Sequence, residues 1–111
     1  MSAVTELAGR LGQAIADSPE AKTLNDARKQ LEADEGLRTT MEQFGQQMEK
    51  VHKLEQENKP IEPEDKKKLA ELEKVLAASE KFKKFSAAQV NFYDMMRKVN
   101  QAIREKIAEL E

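Results

Sequence analysis

Apolar residues recur along this chain at three- and four-residue intervals almost from end to end, the period of one face of a helix. Val4, Leu7, Leu11, Ala14 and Ile15 predict a first helix from about Thr5 to Asp17, where Asp17-Ser18-Pro19 stops it. Ser18 is a good N-cap, because its hydroxyl can accept an amide left unpaired in the next first turn, and Pro19 suits a first helical position that needs no donor. A second helix then carries Ala21, Leu24, Ala27 and Leu31 toward Ala33-Asp34-Glu35-Gly36. Its stripe is poor in large side chains, and Arg28 on it is expected to lay its stem along the stripe with its head in water.

The third helix has a cleaner pattern: Leu37, Met41, Phe44, Met48 and Val51 follow the 4-3-4-3 spacing of coiled-coil packing. It fades into Glu55–Pro60. Pro60 and Pro63 flank Ile61 in the one obvious long connection, since neither proline suits a helix interior. Pro63-Glu64-Asp65 reads as a helix start. Leu69, Leu72, Val75 and Leu76 then form one stripe, and Phe82, Phe85, Gln89, Phe92, Met96, Val99, Ile103, Ile107 and Leu110 another. At about 100° per residue the two are out of phase, which predicts a break or kink near Ala78-Ser79. Whether residues 64–110 make one kinked helix or two is left open by the pattern.

Composition supports an all-α fold. Ala, Glu, Lys, Leu and Arg make up 59 of 111 residues, while Leu, Ile, Val and Phe number only 23. The apolar share is just above the roughly 20% at which chains tend to disorder. The expectation is one helical domain over residues 1–111: an antiparallel bundle of four to five helices with a long C-terminal helix. No apolar run approaches the ~20 residues of a membrane span. The first residues lack the basic and apolar regions of a secretory signal, so no membrane association and a cytoplasmic location are expected.

The aromatics concentrate where the last stripe begins. Phe82, Phe85, Phe92 and Tyr93 all fall between residues 82 and 96, as do Met95 and Met96. Phe82, Phe85, Phe92, Met96 and Val99 span roughly 100° of the helix, the width of one buried face. Met95 and Ala102 widen that arc on one side and Tyr93 on the other. Such an arc needs more than one neighbouring helix, and the first two helices supply little bulk. A homodimer or higher homo-oligomer is therefore expected, with Phe92, Tyr93, Met95, Met96 and Val99 as the candidate dimer or partner surface. Gln89, polar within the stripe, is the candidate register residue, with a solvated edge position as the equally open alternative.

Catalytic chemistry finds little support. With no cysteine, disulfides, thiolate metal sites and cysteine nucleophiles are excluded. Glu49 and His52 match Glu-x-x-His, but His52 is the single histidine and the di-iron pattern needs two such pairs. A small helical enzyme of the chorismate-mutase kind would rest on Arg10, Arg28 and Gln89 alone. No cofactor is expected. Lys66–Lys68 and Lys81–Lys84 invite a nucleic-acid reading, but they are interleaved with acidic residues in a chain of net charge −2, which disfavours it. A protein–protein role is favoured, with a prefoldin-like holdase or a nucleic-acid-binding helical dimer as the alternatives.

Several landmarks together resemble the YlbF/YmcA family of small bacterial helical proteins, especially its YheA-like branch. They are Ile15 with Ser18-Pro19-Glu20, Leu24, Ala33-Asp34-Glu35, Phe44, Ile61 with Glu64, Gln89, Met96 and Val99-Asn100. The resemblance implies an all-helical fold, dimers or higher oligomers, and a non-enzymatic adaptor role. In some relatives that role influences the RNA-cleaving enzyme RNase Y, and so competence, sporulation and biofilm formation. Certain relatives contribute cysteines to an iron–sulfur cluster; this chain has none to contribute.

Overall fold

A computed structural model describes residues 2–110 and contains five α-helices, with no strand among those residues. Helix α1 spans Ala3–Ala16, α2 Pro19–Ala33, α3 Glu35–Gln56, α4 Pro63–Ala78 and α5 Glu80–Ile107; a 3-10 turn, Ala108–Leu110, follows. Helix α1 starts two residues earlier than the apolar pattern predicts. Ser2 caps it, its hydroxyl accepting the Thr5 amide at 3.1 Å.

Each junction has a local cause. Ser18 Oγ accepts the Ala21 amide at 3.1 Å and donates to the Ile15 carbonyl at 2.6 Å, so one hydroxyl caps α2 and closes α1. Asp34 caps α3 by accepting the Leu37 amide at 3.0 Å. Helix α3 ends where Asn58 turns left-handed (φ 56°) and the Lys59 amide reaches back to the Leu54 carbonyl at 2.9 Å. This is a Schellman-type stop on one of the few residue types that adopt that conformation readily. Pro63 opens α4 at the first helical position. Ser79 is extended (φ −82°, ψ 123°), and its hydroxyl accepts the Phe82 amide at 3.2 Å. Residues 64–110 are therefore two helices, broken at the phase change between the two stripes.

The helices fall into two compact units: residues 29–84, and residues 1–28 with 85–111. In the first, α3 and α4 form an antiparallel hairpin, and Leu31 and Leu76 are its most buried apolar side chains. Asp34, at the start of α3, is bridged by Lys81 Nζ at 3.1 Å, while Lys50 further along α3 meets Asp65 at the start of α4 at 2.9 Å. In the second unit Ala27 and Ala88 are the buried apolar positions. Pro19, Glu20 and Thr23 of α2 line one shallow groove with Ala88 and Asn91 of α5. The small Ala88 side chain, 2% exposed, lets α2 lie close there.

Two stripes are centred differently from the expectation. On α3, Met48 is exposed and Gln47, one position back, is buried. On α4, Val75 faces solvent and Leu76 the interior. Helix α1 has no buried residue, although its apolar stripe is regular.

Candidate interaction surface

Helix α5 presents the candidate residues on two different sides. Phe92 is half-buried and lines a groove with Ala21, Leu24, Asn25 and Arg28, so part of its ring is committed to α2 of its own chain. Arg28 borders the same groove and donates to Asn25 Oδ1 at 2.6 Å. Met95, Met96, Val99 and Gln89 are also half-buried. Tyr93 is 62% exposed; its ring meets Phe92 edge-on, with centroids 6.2 Å apart and planes at 65°. Val90, one turn before it, is exposed as well. Beside them, Asp94 accepts from Arg97 at 2.7 Å and pairs with Lys98 at 3.3 Å. The Arg97 hydrogen bond leads in holding the Asp94 carboxyl below the usual aspartate range.

Beyond Val99 the stripe continues but its cover does not. Ile103, Ile107 and Leu110 are exposed, as are Val4, Leu7 and Leu11 on α1. These six positions were legible as apolar, yet periodicity alone carries no sign of which stripe lies open.

The chemistry the sequence raised is not assembled. Among the described residues no group of three or more His, Asp or Glu side chains could hold a metal ion, and His52 is exposed. Of the basic runs, Lys81 pairs with Asp34 and Lys83 with Glu80. No helix among the described residues is long and apolar enough to cross a membrane. One polar cluster was not anticipated. Gln47 and Lys50 converge on Asp65, whose carboxyl is held below its usual range first by the Lys50 hydrogen bond and less by Gln47.

The fold defines a small all-α protein with large apolar side chains exposed on α1 and α5. The chain belongs to the YlbF/YmcA family, described as control of competence regulator ComK, YlbF/YmcA, whose pattern matches residues 4–108. Two solved structures share the fold. One is a protein of unknown function (DUF964) from Bacillus stearothermophilus, 19% identical, with a TM-score of 0.77, covering 98% of this chain and 96% of that one. The other is Bacillus subtilis RicA, solved in complex with RicF: 21% identical, TM-score 0.78, covering 96% and 94%. No curated protein matches the chain.

Proposed function

We propose that this protein is a non-enzymatic adaptor that self-associates and offers α5 to a protein partner in the bacterial cytoplasm. The observation that carries the reading is the set of large apolar side chains left open on α1 and α5. The family's description as a competence regulator supports a regulatory setting, and the RicA–RicF complex supports a protein as partner. By resemblance, RNA processing is the process it serves. Tyr93, with Met95, Met96 and Val99 behind it, is the proposed partner-facing segment; Phe92 anchors that segment on α2, and Gln89 sets its register.

Affinity capture from the native cytoplasm tests this, with wild type beside the Tyr93→Glu/Met95→Glu chain and mass spectrometry as readout. A reproducible partner lost in the variant is the expected result, and RNA-decay proteins in that set would tie the adaptor to RNA processing. Recovery of the chain alone would remove the adaptor reading, and recovery of many unrelated unfolded clients would replace it with a holdase.

A further inference from the structure

A row of exposed side chains runs along α5 on the side of the helix opposite Phe92 and Val99. Val90, Tyr93, Arg97, Gln101, Arg104 and Ala108 follow a 3-4-4-3-4 spacing, and all six are exposed. That spacing averages the helical repeat over five turns, so the row keeps to one face for about 27 Å. Between its two arginines the surface is hollow: Arg97, Gln101, Arg104, Glu105 and Ala108 line a shallow depression of about 400 Å³.

Charge says what fits the row. Residues 90–108 hold four cations and two carboxylates in a chain whose net charge is −2, so this segment is a basic patch on an acidic protein. Both carboxylates are engaged already. Asp94 takes Arg97 at 2.7 Å and Lys98 at 3.3 Å, and Glu105 accepts from Gln101 at 3.3 Å. Arg97 uses one donor of its five there, and Lys98 keeps Asp94 compensated when Arg97 turns outward. No hydrogen bond or ion pair among the described residues engages Arg104.

The spacing selects a helix. Arg97 and Arg104 are two turns apart, about 10.5 Å along the axis, and a helix offers carboxylates two turns apart at the same separation. On one face of an extended chain they fall about 7 or about 13 Å apart, which matches at neither. Nucleic acid fits less well, because Asp94 and Glu105 stand beside the arginines and oppose phosphate. Tyr93 supplies the apolar contact. Half-buried Phe92 meets its ring edge-on, so little side-chain freedom is left to lose on binding. Tyr and Arg are also among the residue types that most often carry interface energy.

Resting on the reading of this chain as an adaptor, we propose that its protein partner presents an acidic helix that lies along this row. Carboxylates two turns apart on that helix take Arg97 and Arg104, and an apolar side chain one turn outside them meets Tyr93.

The probe is a lactam-stapled helical peptide with two Glu residues two turns apart and a Leu one turn outside each. Its counterpart carries Lys in place of both Glu. Fluorescence anisotropy at low ionic strength is expected to show the Glu peptide binding the wild type and losing at least about tenfold on Arg97→Glu/Arg104→Glu. The Lys peptide should show the reverse preference. If that variant loses helical circular dichroism, Arg97→Gln/Arg104→Gln takes its place, with the Glu peptide's loss as readout. Equal affinity of the two peptides for the wild type, or binding of neither, overturns the acidic-helix assignment. A short single-stranded RNA that the wild type binds and the variant does not, with neither peptide bound, would put nucleic acid on the row instead. Affinity capture keeps the adaptor reading separate. A partner lost in the Tyr93→Glu/Met95→Glu chain but kept by the arginine variant leaves the adaptor and removes the acidic helix. No partner at all removes both.

Discussion

Gln47 Nε2 donates to the main-chain carbonyl of Asp65 at 3.0 Å and lies 3.5 Å from its carboxyl oxygen, so a buried amide on α3 ties down the first turn of α4. Gln47 is 5% exposed. The same carboxylate takes the Lys50 ammonium at 2.9 Å, which leaves one aspartate joining the two helices of the hairpin.

Gln47→Ala is expected to lower stability by about 1–2 kcal/mol, combining a lost hydrogen bond with a small cavity. In a domain of this size that corresponds to a fall in Tm of roughly 5–15 °C. Gln47→Met, which keeps the volume and loses only the polar tip, should cost less. Equal losses for the two variants in thermal melts would mean that the hydrogen bond alone carries the effect, and no loss for Gln47→Met that the contact is packing alone.

The Asp65 carboxyl is held below its ordinary value of 3.8, chiefly by the Lys50 hydrogen bond and against some desolvation. A group whose pKa is depressed in the folded state contributes stability that is complete above its unfolded value and is lost as pH falls through the folded one. Asp34 is shifted the same way, first by the Leu37 amide and then by Lys81. Stability should therefore decline as pH drops below the ordinary aspartate range. The advantage of wild type over Asp65→Asn should shrink along the same descent. A constant gap between the two from pH 7 to pH 2, in melts at matched ionic strength, would contradict this origin.

Asn58 adopts φ 56° at the end of α3. Asn58→Gly should leave Tm nearly unchanged or slightly raised. Asn58→Val should cost about 1–2 kcal/mol, because a β-branched side chain meets the following carbonyl in that conformation. Similar melting curves for the Gly and Val variants would show that the left-handed turn is not required.

Phe92 and Tyr93 are sequence neighbours with different surroundings. Phe92→Ala removes a ring that helps line the groove with Leu24 and Ala21, and should cost about 1–3 kcal/mol. Tyr93→Ser, at an exposed position, should stay within about 0.5 kcal/mol in the dilute chain. Denaturant titration separates the two, and a larger loss at Tyr93 would place its ring in a core.

Sequence alone determined the helices and the places where they stop, because those signals act within a few residues. Ser18-Pro19, Pro63 and the phase change at Ser79 each specify a boundary through a cap, a missing amide or a change of face. The Asp34 and Ser2 caps are just as local, although the apolar period does not mark them. Burial was decided at longer range. Met48 continues the 4-3-4-3 stripe, yet Gln47 is the residue inside, since the start of α4, 18 positions later, offers its amide a carbonyl. The stripe on α1 matches the buried ones in period and lies open. Periodicity sets which side chains share a face, but only the neighbouring elements decide whether that face is covered.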